Sequence, residues 1–171
     1  MLLFTALLGC FFTGCASPAD VGAMVPQNVA VGKRFNKSVG VAVTGGQSTN
    51  PMWCSQVANE DFAAALESTI KQTGLFSSVL RSSGGEYQLD VRLIRLRQPM
   101  VGFDMTVQAE VEWRLRHVSP DRVVWEGNTN RSFTATVGDA FVGMTRLKMA
   151  NEGAIREAIK AGLEQIAALS L

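Results

Sequence analysis

Strict alternation of apolar and polar residues from Phe103 to Leu115 constrains the fold of this chain more than any other feature. The apolar positions are Phe103, Met105, Val107, Ala109, Val111, Trp113 and Leu115. A two-residue period of this kind is typical of a β-strand with one face on a core and the other in water. The chain is therefore expected to build a sheet and to cover one face of it.

The other elements follow from the same kind of pattern. Strands are predicted over 38–44, 86–97 and 122–136, one helix over 55–73, and a second helix along an apolar stripe from Leu147 to Leu169. The resulting order is β-α-β-β-β-α, in which the first two strands are parallel and the last three form an antiparallel meander. This order predicts an α/β (α+β) fold, a two-layer sandwich with a mixed four-stranded sheet and two helices on one face.

A short apolar run from Met1 to Phe12 ends in Phe12-Thr13-Gly14-Cys15. The run is shorter than the roughly 20 residues that span a bilayer, and it has the length of a signal-peptide core. The pattern resembles a bacterial lipoprotein signal with its lipobox. That resemblance implies cleavage before Cys15 and attachment of acyl chains to this cysteine. The alternatives are cleavage at Cys10, an ordinary cleaved signal, or a buried N-terminal strand.

The chain then divides into three parts. Residues 1–14 are predicted to be a lipoprotein signal peptide, and residues 15–37 the lipidated cysteine with a flexible tether. Residues 38–171 are predicted to form a single periplasmic α/β domain. After Cys10 and Cys15 are assigned to the signal and the anchor, Cys54 has no partner, so it is either a buried thiol or a site of mixed disulfide formation.

Composition and motif content argue against several functions. Sixteen basic and fifteen acidic residues nearly cancel, which leaves no basic footprint for nucleic acid. His117 is the only histidine, and this count excludes a His-based triad or a multi-His metal site. Gly45-Gly46 lacks the lysine of a phosphate-binding loop. We therefore predict no catalytic residue, no metal site, no cofactor and no enzymatic activity.

Three connections are expected at one edge of the sheet, which we call the upper edge. They are residues 44–54, 98–102 and 137–145, and they carry Met52, Trp53, Met100, Val101, Phe141 and Met144. Apolar, Met-bearing loops of this kind predict a surface for a partner or a ligand. The alternative is that these side chains cover the open end of the core. The tether is expected to enter at the lower edge, so that this surface faces away from the anchor.

The solvent face of the sheet is expected to be charged. Its predicted members are Asp90, Arg92, Glu110, Glu112, Arg114 and Arg116. It is interpreted either as a solvated face or as a docking face for a partner. Glu152, placed early in the last helix, is expected to interact with the N-terminal end of the helix dipole.

Several segments together carry a resemblance to a known group. They are the lipobox, a valine-rich strand, Thr73-Gly74-Leu75-Phe76-Ser77-Ser78-Val79, Tyr87-Gln88-Leu89-Asp90-Val91 and Ala150-Asn151-Glu152-Gly153-Ala154-Ile155-Arg156. The chain resembles the small envelope lipoproteins of YajG type. It is more loosely similar to auxiliary lipoproteins of ABC-type lipid transport and to the lipopolysaccharide-assembly lipoprotein. No catalytic residues come with this resemblance.

The anchor and the resemblance imply a non-enzymatic lipoprotein on the periplasmic face of the outer membrane. It would be attached through the lipid on Cys15 and would act as an accessory or scaffold component of an envelope assembly or transport system, with an envelope protein as partner. The alternative is a lipoprotein that binds a lipid or another apolar ligand between the Met-bearing loops and the helices.

Overall fold

The structure is a computed structural model that describes residues 17–50 and 55–171. It contains one sheet and three helices within these ranges. The strands are β1 (Phe35–Thr44), β2 (Phe76–Arg81), β3 (Tyr87–Arg97), β4 (Met105–His117) and β5 (Arg122–Ala135). The helices are α1 (Val21–Met24), α2 (Asn59–Thr73) and α3 (Gly143–Ala167). The predicted mixed α+β fold is confirmed at this level.

The sheet order is β2-β1-β3-β4-β5. β1 is parallel to both β2 and β3, whereas β3, β4 and β5 form the predicted antiparallel meander. β1, β3 and β5 therefore run in the same direction and end at the same edge. The predicted upper edge exists, and the described parts of all three predicted connections meet there.

The number of elements differs from the prediction, since the sheet has five strands and the described chain has three helices. The additional strand is β2, which pairs in parallel with β1 from Phe35↔Phe76 to Val41↔Arg81. Only Phe76 in this six-residue strand is buried. Because β2 is a short edge strand with one buried side chain, its sequence lacks the alternation that identifies β4.

One face of the sheet, the inner face, is covered by α2 and α3. Trp113 of β4 is fully buried there, with its indole N–H donating to Thr129 Oγ1 at 2.9 Å. Its ring meets Phe62 of α2 edge-on, at a centroid distance of 6.5 Å. A Cβ atom on Gly162 of α3 would lie 2.6 Å from this indole ring. The helix and the strand therefore approach so closely that only glycine fits at this position.

The connection from β2 to β3 crosses the opposite, outer face of β1. Residues 82–86 pass over Gly40, and a Cβ atom at Gly40 would lie 3.0 Å from the Cα atom of Ser83. Gln88 Nε2 donates to the Ser82 carbonyl at 2.9 Å and ties the crossing to β3. A parallel crossover usually needs a dozen or more residues. Here five suffice because a single strand is crossed and that strand presents glycine.

Residues 17–34, which we call the N-terminal segment, are packed against the helices and do not form the free tether that the sequence predicts. Asp20 caps α1 by accepting hydrogen bonds from the backbone of Gly22 and Ala23, and Met24 is fully buried. β1 begins at Phe35, inside the range 15–37 predicted as a tether. The segment's apolar side chains pack on the core without a regular period, and its hydrogen bonds with α3 are made largely by backbone atoms.

Candidate functional site

Four apolar side chains at the upper edge are almost completely exposed. The exposed fractions are 98% for Met100, 86% for Val101, 87% for Phe103 and 89% for Phe141. Among the described residues, every other exposed large apolar side chain lies between 39% and 50%. We call these four residues the apolar edge. Their side chains do not cover the end of the core, which was the alternative interpretation of the predicted surface.

Side-chain hydrogen bonds fix the loop that carries Phe141. Arg146 Nη1 donates to the carbonyls of Ala140 and Phe141, both at 2.7 Å. The carboxylate of Asp139 accepts from the backbone N–H of Thr136 at 2.7 Å and from its hydroxyl at 2.8 Å. These two hydrogen bonds hold the pKa of Asp139 below its ordinary value. The exposure of Phe141 is therefore imposed by an ordered turn.

The N-terminal segment runs alongside α3 from the upper end of the fold to the lower end. The Asp20 N–H donates to Glu152 Oε1 at 2.7 Å. Arg156 Nη1 donates to the Ala23 carbonyl at 2.8 Å, and Ala30 N–H donates to Glu164 Oε1 at 3.2 Å. Lys33 then reaches Ser170 Oγ at 3.4 Å. Successive contacts thus move down α3 as the segment approaches β1.

The beginning of the segment lies beside the start of the loop that follows β3. Ser55 Oγ donates to the Ser17 carbonyl at 3.2 Å. The Ser55 carbonyl accepts from Gln98 Nε2 at 2.7 Å and from Asn151 Nδ2 at 2.9 Å. Gln98 directly follows β3, two positions before Met100. The segment therefore enters at the upper edge, and the expectation that it enters at the lower edge is wrong.

Glu152 has a different role from the predicted one. It lies beyond the first turn of α3, is only 5% exposed, and accepts the Asp20 N–H. Burial raises the pKa of its carboxyl, and the hydrogen bond from Asp20 opposes that rise. Lys148 Nζ lies 3.8 Å from Glu152 Oε1. Glu152 thus belongs to the contacts that hold the N-terminal segment, and its interaction is not with the helix dipole.

The motif around Glu152 contributes most of these contacts. Asn151, Glu152 and Arg156 each hydrogen-bond to the N-terminal segment or to Ser55. A Cβ atom on Gly153 would overlap the ring of Phe133. The sequence predicted a helix-dipole interaction for Glu152 and did not predict these contacts, because the partners are mainly backbone atoms far away in the chain.

The outer face of the sheet carries no helix in the described structure and is lined by paired charges. Arg114 Nε lies 2.7 Å from Glu126 Oε1, and Arg116 Nη1 lies 2.9 Å from Asp121 Oδ1. A shallow hollow on this face is bordered by Ala42, Thr44, Asp90, Val91, Arg92, Glu112 and Arg114. The predicted charged face is present and extends to the edge strand β5.

The structure places some predicted site residues and not others. Met100, Val101 and Phe141 lie together on the upper edge, whereas Met144 is half-buried in the first turn of α3. Phe103 belongs to this surface, although the sequence predicted it as an inward residue of β4. β4 begins only at Met105, so Phe103 lies in the loop. Cys15, Met52, Trp53 and Cys54 lie outside the described residues.

Residues 17–50 and 55–171 contain neither a metal-binding cluster nor a membrane-spanning helix. No group of three or more histidine, cysteine, aspartate or glutamate side chains in these ranges could hold a metal ion. None of the helices described there has both the length and the apolar character needed to cross a membrane.

The fold recurs in solved bacterial proteins of low sequence identity. The DUF330-family protein XCC0632 from Xanthomonas campestris superposes with a TM-score of 0.57 at 14% identity, covering 84% of this chain and 87% of that one. A single-substitution variant of the PelC dodecamer from Paraburkholderia phytofirmans superposes with a TM-score of 0.55 at 18% identity, covering 84% of this chain and 96% of that one. A candidate lipoprotein from Caulobacter crescentus superposes with a TM-score of 0.50 at 17% identity, covering 75% of this chain and 87% of that one.

No protein-family model matches the chain, and no curated protein matches it. At the identities above, the structural likeness establishes the fold alone. The resemblance to YajG-type lipoproteins therefore stays a prediction.

Proposed function

We propose that this protein is a non-enzymatic lipoprotein on the periplasmic face of the outer membrane, anchored through Cys15, where it acts as an accessory or scaffold component of an envelope assembly or transport system. The lipobox-like segment supports the anchor. The fold supports it as well, because a candidate lipoprotein from Caulobacter crescentus has the same architecture. Binding of a lipid or another apolar ligand between the Met-bearing loops and the helices stays a prediction.

The observation that carries the accessory role is the uneven covering of the sheet. α1, α2, α3 and the N-terminal segment all lie on the inner side, and no element within residues 17–50 and 55–171 covers the outer face of β3, β4 and β5. That face carries paired charges and is bounded by the 14-residue edge strand β5. An open edge of this length is a template for association with another chain. Two solved structures with this fold are dodecamers of PelC, which supports the view that the fold is suited to assembly.

Anchoring is tested by cell fractionation of a Cys15→Ser variant. Several acyl chains on one cysteine attach a protein stably to a membrane. A protein that lacks these chains loses that attachment. We expect the variant in the soluble periplasmic fraction and the unaltered protein with the outer membrane. A variant that stays with the membrane would contradict the proposed anchor.

Docking on the outer face is tested by photocrosslinking in intact cells. A photoreactive amino acid is introduced at Asn128 or Asn130, both exposed on β5, in the full-length lipidated protein. The matched control carries it at Gln72, which is exposed on α2. We expect one discrete crosslinked species from the two β5 positions and none from Gln72. Identical products at all three positions, or no product at β5, would count against a docking face there.

A further inference from the structure

We propose that the apolar edge contacts the membrane directly, with Met100, Val101, Phe103 and Phe141 entering the leaflet that holds the acyl chains of Cys15. This inference rests on the proposed anchor at Cys15. It assigns the upper edge to lipid and leaves the outer face of the sheet for a protein partner.

The side chains of the apolar edge are almost completely exposed. Two loops from different parts of the chain each present apolar groups that are 86% to 98% exposed. Exposed apolar surface concentrated in one place marks a site of interaction with a protein or a membrane. The lower end of the fold offers the contrast, because the exposed side chains near the end of α2 and the start of β1 are polar: Lys33, Arg34, Asn36, Lys71 and Gln72.

The structure holds these side chains outward. The Arg146 guanidinium bonds to both carbonyls that flank the turn at Phe141, and Arg146 is itself only 7% exposed. In the other loop, a Cβ atom at Gly102 would lie 2.8 Å from the Asp104 carbonyl oxygen. Substituting Gly102 would therefore disturb the turn between Val101 and Phe103.

The position of Ser17 favours lipid over a protein partner at the apolar edge. The N-terminal segment begins at Ser17, which is bonded to Ser55 beside Gln98 at the upper edge. Cys15 is two positions before Ser17, and two residues of chain reach at most about 7 Å. The acyl chains would therefore leave the domain at the same edge as Met100 and Phe141.

The path of the chain between the proposed anchor and β1 is also fixed. Contacts from Asp20 to Lys33 follow α3 from Glu152 to Ser170, so the segment is bound along its length. A bound segment cannot swing the domain away from the leaflet as a free tether would. The upper edge is thus held toward the membrane, where interfacial apolar groups enter the boundary between headgroups and acyl chains by about 5–10 Å.

The test places a tryptophan at the apolar edge of the full-length, lipidated protein and measures its contact with acyl chains. Phe141→Trp and Met100→Trp probe the two loops, and Gln72→Trp at the lower end is the control. Each protein is reconstituted into vesicles of phosphatidylethanolamine and phosphatidylglycerol with brominated acyl chains. Fluorescence is compared with that of the unaltered protein, which supplies the signal of the native tryptophans.

We expect the brominated acyl chains to quench the added fluorescence of Phe141→Trp and Met100→Trp, because these side chains would lie at the acyl boundary. The Gln72→Trp signal should not change. Equal, unquenched signals from all three proteins while they float with the vesicles would overturn the inference and leave the anchor intact. That same result would be expected if the apolar edge bound a protein instead of lipid. Proteins that do not float with the vesicles would overturn the inference together with the proposed anchor.

Discussion

The residues on the two faces of the sheet alternate along the same strands, yet they have opposite environments. On the inner face, Trp113 is fully buried against Phe62 and a glycine of α3, so that a single added carbon atom would overlap the indole ring. On the outer face, the neighbouring Arg114 is half exposed and paired with Glu126. The comparison separates positions that determine stability from positions that are free to serve an interface.

The largest expected difference between the faces is at these adjacent residues. Trp113→Ala should lower the free energy of unfolding by about 3–5 kcal/mol, because it removes a buried ring and leaves a cavity. Arg114→Ala should lower it by about 1 kcal/mol or less, as is usual for an exposed ion pair. Urea unfolding followed by circular dichroism measures both. Similar losses for the two variants would remove the distinction between the faces.

The crossing over Gly40 is the place where the outer face should behave like the inner one. Gly40→Ala should destabilise the protein by about 1–3 kcal/mol, because the backbone of the crossing connection leaves no room for a methyl group. Gly32→Ala is the matched control, since no atom lies within 4 Å of its added carbon. We expect the control to leave the unfolding midpoint unchanged or slightly raised. If Gly40→Ala matched the control, the crossing would not be a close contact.

The smallest expected effect concerns Glu152, a charged group in the covered layer. Burial raises its pKa from the ordinary value of 4.5, so the folded state holds this proton more tightly than the unfolded state does. Its contribution therefore favours folding below about pH 4.5 and is lost as the pH rises through the raised pKa of the folded state. In Glu152→Gln this loss should disappear, since the amide stays neutral and its oxygen still accepts the Asp20 N–H.

Thermal unfolding at several pH values between 4 and 7 measures this effect. The midpoint of Glu152→Gln should decline less with rising pH than that of the unaltered protein. Glu152→Ala is the comparison, because it also removes the acceptor and should be destabilised by about 1–3 kcal/mol throughout the range. Equal pH profiles for the unaltered protein and Glu152→Gln would rule out a raised pKa at this residue.

Local patterns were sufficient for the elements that have one buried and one solvated face. The alternation in β4 and the apolar stripe of α3 identify these elements because each repeats a period over many residues. The antiparallel meander and the upper edge followed from the order of elements alone. The exposed loop residues Met100, Val101 and Phe141 could be found in this way because apolar residues in loops are conspicuous.

Other features left no local signal. β2 is too short and too exposed to alternate, and the crossing at Gly40 depends on residues more than forty positions away. The N-terminal segment reads as a tether because its contacts with Glu152 and Arg156 involve backbone atoms, which leave no pattern in side-chain type.

The sequence by itself determined the α+β class, the parallel and antiparallel pairing of four strands and the position of the apolar loops, because these depend on periodicity and chain order. Only the tertiary structure decided which end of the domain the N-terminal segment enters. That end is set by hydrogen bonds between Ser17, Ser55 and α3, which join residues far apart in the chain. These contacts place the apolar edge at the same end of the domain as Ser17, where the N-terminal segment begins.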